Sequence, residues 1–206
     1  MKNFFSKYSY AMVRMFVNQC AISLFGAVLA LFATSVGSSA LTIGVSIGAI
    51  VFYLFLLYTV AWDVGSKDSA AIQAGRQKFN PMTGFLISLC ANIPNFVLAI
   101  LHAACLPFAN SNRILSGICA IARVIALFIE GMYTGLMSVI HFGGSAMNTY
   151  SWAYFLLPLP AILMSGIAYI IGRYELHLTK LMLPLTPEEI EKKQEKKANQ
   201  RSSSEK

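Results

Sequence analysis

The chain has 206 residues, 56% of them hydrophobic and 12% charged, about half the roughly 25% charged fraction of an average soluble domain. That balance excludes an ordinary soluble domain and predicts an all-α polytopic bundle of transmembrane helices, each satisfying its own backbone within hydrocarbon. Sixteen Lys and Arg outnumber nine Asp and Glu, giving a net charge of +7. The bases gather in connectors and at the C-terminal end, where they set orientation in a bilayer, and no nucleic-acid-binding motif accompanies them.

Residues 11–33 are long enough to cross a hydrocarbon core of ~30 Å at 1.5 Å per residue. Their apolar length suits a retained helix better than the ~7–15 residue core of a cleaved signal. Asn18 and Gln19 fall inside this segment and are expected to face protein. Phe4, Phe5, Tyr8 and Tyr10, interleaved with Lys2 and Lys7, fit a headgroup-level anchor. The uncharged link 34–39 permits only a tight antiparallel return into a second segment, residues 40–62. That segment carries Gly44 and Gly48, a GxxxG pair expected to pack within the chain.

From Asp63 to Thr83 the chain turns polar. Ser66 is placed to cap a short helix over 67–74, with Asp68 in its first turn and Gly75 closing it in the left-handed region. Lys67, Arg76 and Lys78 mark this connector as cytoplasmic and are candidates for contact with lipid phosphate or a partner protein. The pattern Trp62-Asp63-x-Gly65-x-Lys67-Asp68, then Gly75-Arg76, Gly84 and Asn92-x-Pro94, resembles one found in small multi-pass membrane proteins of Gram-positive bacteria. The resemblance spans roughly 35 residues. It implies a bacterial cytoplasmic membrane and transfers no activity and no site residue.

A third segment, residues 85–107, holds no charge but is interrupted by Asn92-Ile93-Pro94-Asn95. Proline there removes a ladder hydrogen bond, and the asparagines need partners that lipid cannot supply. The segment is either a kinked spanning helix or a re-entrant hairpin turning at the asparagines. His102 reads as a satisfied polar contact. The fourth segment, residues 114–142, contains Arg123 and Glu130, seven residues apart on one helical face. Each costs about 2.5–3.5 kcal/mol at a bilayer centre, so both are expected to point into the bundle. Their separation of about 10.5 Å along the axis disfavours direct pairing. Asn18, Gln19, Asn92 and Asn95 are the candidate partners, and together these six residues form the candidate polar intramembrane site. Gly131 and Gly135 supply a second GxxxG, expected to let a helix close over Glu130.

Residues 141–152 form an uncharged link that ends in an aromatic girdle. A fifth segment, 153–172, carries Pro158 and Pro160 in its first turns, where lost donors do least harm. The bundle is expected to occupy residues 1–185 and a charged cytoplasmic tail residues 186–206. Thr186-Pro187-Glu188-Glu189 begins a short capped helix there, with disorder after it.

Lys and Arg number three at the N-terminal flank, three in the 63–83 connector, one at Arg113, none in 141–152 and eight from Arg173 onward. With five spans, an inside N-terminus leaves the eight-charge tail outside, and an outside N-terminus puts the six charges of the first two groups on the wrong side of the positive-inside rule. Four spans plus a re-entrant hairpin put both termini in the cytoplasm and both uncharged links outside. Both topologies remain open. The four cysteines lie in apolar stretches with no CxxC pair and read as packing residues, not as metal ligands or a disulfide framework. Without HExxH, GxSxG or paired intramembrane aspartates, no enzyme and no cofactor are expected. The two functional readings are a small transporter or permease-like subunit, and a non-catalytic assembly or regulatory subunit of a membrane complex.

Overall fold

A computed structural model of the chain describes residues 2–105 and 113–174, and 85% of these are helical. Three helices are each long and apolar enough to cross a membrane, and two bent pairs bring the number of candidates to five. Contacts divide the chain into Met1–Tyr174 and Glu175–Lys206. The expected tail helix lies outside the described residues, as does the side chain of Arg123.

Helices α1 (Lys2–Ser35) and α2 (Ser39–Gln73) make a long antiparallel hairpin. Its turn is as tight as the link predicts: Gly37 takes φ +75°, and Ser38 Oγ accepts a hydrogen bond from Leu41 N at 3.3 Å. Helix α2 does not end at its aromatic residues. It runs unbroken through Asp63, Gly65, Ser66, Lys67 and Asp68, so the separate helix capped by Ser66 does not form. Gly65 costs the helix propensity locally, but the packing it permits against the last helix outweighs that cost. Gly75, at φ +70°, closes the helix in the expected conformation.

Helices α3 (Thr83–Ala91) and α4 (Ile93–Cys105) are one apolar run bent by 51° at Asn92. Pro94 in the first turn of α4 lacks an N–H where none is needed, so the break falls just before it. Helix α5 (Arg113–Glu130), a 3-10 turn at Gly131–Tyr133 and α6 (Thr134–Val139) follow, and the second bent pair lies in this run, its axis turning by 46° between Ala122 and Val124. After it comes a hairpin that periodicity did not foresee, β1 (His141–Phe142) with β2 (Ser145–Ala146), pairing His141 with Ala146. Gly143 and Gly144 turn it at φ +58° and +88°, the doubly positive turn that suits strand twist. Helices α7 (Ser151–Leu156) and α8 (Leu159–Arg173) meet at Pro158.

Small residues set how closely these helices approach. A Cβ on Gly65 would overlap the Tyr169 carbonyl, one on Gly172 the Trp62 carbonyl, and one on Gly166 the ring of Phe85. Helix α8 is thereby held against α2 and α3. The two GxxxG pairs behave oppositely. Gly131 lies against Ser23 and Ala27 of α1, and Gly135 against Ala30, Thr42 and Ser46, as expected. Around Gly44 and Gly48 an added Cβ would meet nothing, which corrects the expectation of packing within the chain: no other element of the described chain covers that face of α2. Cys20 and Cys90 are half-buried and unbridged, consistent with packing.

Candidate functional site

The bundle's least compensated polar group sits where α5 breaks. At Glu130 the backbone takes φ −122° and ψ 11° and the helix passes into the 3-10 turn. The carbonyl of Ile129 receives Gln19 Nε2 at 3.0 Å and Ser23 Oγ at 2.6 Å, both from α1. Those two donors hold the broken strand of backbone in an apolar setting, where an unmet carbonyl would be costly. Glu130 itself is 3% exposed, and neither carboxylate oxygen has a hydrogen-bond partner among the described residues. The hydroxyls of Tyr133 and Ser46 are likewise buried without one.

Glu130 forms part of the wall of a cavity of about 350 Å³, at the lower end of the range for small-molecule sites. Among the described residues its other polar lining comes from His102 on α4, Thr134 on α6, Asn148 and Thr149 in the link, and Tyr154 on α7; the rest of that lining is apolar, with no Lys or Arg. The rings of His102 and Tyr154 lie 4.7 Å apart, and Tyr154 Oη donates to the Asn148 carbonyl at 3.2 Å. Asn148 and Thr149 are exposed, so the cavity reaches the surface on the side of the 140–150 link. Among the described residues no three His, Cys, Asp or Glu side chains gather as a metal site would need.

Of the six residues named from sequence, Gln19 reaches the residue beside Glu130, and Asn18 is half-buried without sharing that contact. Asn92 and Asn95 form a second cluster. Asn95 Nδ2 donates to Asn92 Oδ1 at 2.8 Å, Asn92 Nδ2 to the Ser88 carbonyl at 2.8 Å, and Ser88 Oγ to the Ala161 carbonyl at 3.3 Å. They brace the α3–α4 bend against α8, and neither lines the cavity. Asn148 and Thr149 gave no signal in the sequence, because a cavity wall drawn from a link leaves no period, and Tyr154, on α7, stood out only as part of the aromatic girdle.

The charged connector holds a different surprise. Asp68, expected in a solvated first turn, is 2% exposed. Its Oδ1 meets Lys7 Nζ at 2.6 Å, and its Oδ2 accepts from Tyr8 Oη at 2.6 Å and Tyr169 Oη at 2.9 Å. Gln77 Nε2 donates to Tyr8 Oη at 3.1 Å, and Lys7 also contacts Gln77 Oε1. One carboxylate thus joins the ends of α1, α2 and α8. Lys67 is spent on an exposed pair with Asp63 at 2.7 Å, a contact worth only ~0.2–0.5 kcal/mol. Arg76 and Lys78 are exposed, and the Arg173 guanidinium lies 3.9 Å above the Phe79 ring.

No protein-family model matches the chain, and neither a curated protein nor a solved structure is detectably similar to it.

Proposed function

We propose that this is an integral membrane protein of a bacterial cytoplasmic membrane whose Glu130 cavity takes up a small solute, as a small transporter or permease-like subunit would. The observation that carries this reading is the buried Glu130 carboxyl, without a hydrogen-bond partner among the described residues, in a cavity wall at a helix break. Ionisable groups within membrane segments mark solute or ion paths more often than they serve packing, and broken helices recur at such sites. We assign the protein no catalytic role. The test is uptake of a solute panel into proteoliposomes. Wild type is expected to accumulate at least one member of the panel, and Ala126→Phe, which fills the cavity from its α5 wall, to abolish that uptake. If no member of the panel enters with wild type, the transport reading fails.

For topology we favour four crossings with both termini cytoplasmic, the 85–112 region entering and returning on one side. Two directions support it. The α5–α6 run passes Ser23 and Ala27 before Ala30, so it climbs with α1 toward the α1–α2 turn. Helix α8 descends to Tyr169 and Arg173, beside Asp68, Lys7 and Phe79. Those directions support a chain that ends on the side where it began, with the remaining run entering and leaving on that side. A 51° bend redirects an axis without reversing it, so the bend at Asn92 alone does not make the return. In a cysteine-free background, Asn80→Cys and Tyr174→Cys are expected to react with a membrane-impermeant maleimide from the cytoplasmic face, and Ser145→Cys from the other. Labelling of positions 80 and 174 from opposite faces would favour five spans.

The assembly-subunit reading has one observation of its own, the open Gly44–Gly48 face of α2, where a partner helix would find bare backbone. Affinity purification in mild detergent tests it: a stoichiometric membrane partner is expected under this reading, and recovery of the chain alone counts against it.

A further inference from the structure

Resting on the solute-cavity reading, we infer that the cavity's ligand is a small organic cation, a protonated amine or quaternary ammonium with an apolar body. The argument begins with charge. Among the described residues Glu130 is the one acidic side chain in the cavity wall, and no Lys or Arg lines it. A buried carboxylate is tolerated when it is paired, and a cation entering the cavity is the pairing this site lacks.

The walls fit the rest of such a molecule. Leu98, Ala122, Ala126, Leu127, Met137 and Leu157 give the lining an apolar half, which suits alkyl or aryl groups, and among the described residues the polar half carries no positive charge to draw an anion. Tyr154 presents an aromatic ring held in place by its hydrogen bond to the Asn148 carbonyl and by the neighbouring His102 ring. Aromatic faces attract cations, most strongly where water is excluded. The cavity meets the surface at Asn148 and Thr149, polar uncharged residues that a cation can pass without repulsion.

The carboxylate oxygens themselves are closed to solvent. They have no hydrogen bond among the described residues to hold them there, so rotation of the Glu130 side chain toward an arriving cation breaks none of those contacts. Binding therefore couples entry of the ligand to movement of a group at the α5–α6 break.

The experiment measures binding to the purified protein in detergent by calorimetry, using choline and 3,3-dimethylbutan-1-ol, which share a shape and differ by one charge. Choline is expected to bind at least about tenfold tighter. Glu130→Gln is expected to erase that ratio and Glu130→Asp to retain most of it. Ala126→Phe, with Glu130 intact, is expected to weaken both ligands by filling the cavity. Equal affinity for the pair in wild type overturns the inference, as does a folded Glu130→Gln that keeps the ratio. Should Glu130→Gln fail to give a monodisperse protein, undiminished choline binding by Ala126→Phe overturns it instead. Choline binding without uptake in proteoliposomes would leave the cation site standing and remove transport. Uptake of uncharged solutes with no preference for choline would do the reverse.

Discussion

Asp68→Ala is expected to cost about 3 kcal/mol and to lower the melting temperature of the detergent-solubilised protein by roughly 6–12 °C, at ~2–4 °C per kcal/mol for a chain of this size. The loss is assigned chiefly to two phenols. Tyr8 and Tyr169 are buried and both donate to the same oxygen of Asp68, and a buried donor left without an acceptor costs ~1–3 kcal/mol. Lys7 contributes less, because its side chain is 43% exposed and water screens the pair. Two companion variants separate these parts. Asp68→Asn keeps an acceptor oxygen where both phenols meet and should lose less than half as much. Lys7→Gln should lose no more than about 1 kcal/mol. Thermal melts of the three variants decide the matter: an Asp68→Asn as damaged as Asp68→Ala would transfer the weight from the phenols to the charge.

That carboxylate also marks the boundary of what the sequence discloses. Helical character, the five apolar stretches, the tight return at Gly37, the bend at Asn92 and the left-handed Gly75 were all legible, because each follows from apolar length or from a residue's own backbone preference. The continuation of α2 through Gly65 and Ser66 was not, since local signals there favour a stop and only contact with α8 overrides them. Asp68 and Tyr169 are 101 residues apart, and no periodicity links them. The two GxxxG pairs make the same point. Gly131-Gly135 is covered and Gly44-Gly48 is open, although the pattern is identical, because the motif permits close approach without naming a partner. Glu130 stood out as an ionisable group in an apolar run, yet its cavity depends on a link and a short helix that carried no warning. The asparagines were rightly read as needing partners. Asn92 and Asn95 found them in part, in one another and in the backbone of Ser88, while Asn95 Oδ1 stays buried without one among the described residues, and the surroundings of Glu130 fall to Gln19, Ser23 and the cavity wall.

The same contrast between glycines gives the other large expected effect. At Gly65 an added methyl group would fall on the Tyr169 carbonyl and close to Arg173 N, backbone atoms that move only if α8 moves. Separating α8 from α2 would also open the contact of Gly172 with the Trp62 carbonyl and pull Tyr169 from Asp68, one turn further along α2. Overpacking typically costs ~1–3 kcal/mol and more where the backbone must shift, so Gly65→Ala is expected at or above the top of that range, and Gly65→Leu is expected to give no monodisperse protein on size exclusion. Gly44→Ala is the matched control. Its methyl group meets nothing within the described chain, and alanine in place of a helical glycine is worth up to ~1 kcal/mol, so its melting temperature should hold or rise. If Gly44→Ala instead lost stability or yield as Gly65→Ala does, something outside this chain must cover that face of α2, and the assembly-subunit reading would gain at the expense of a self-sufficient transporter.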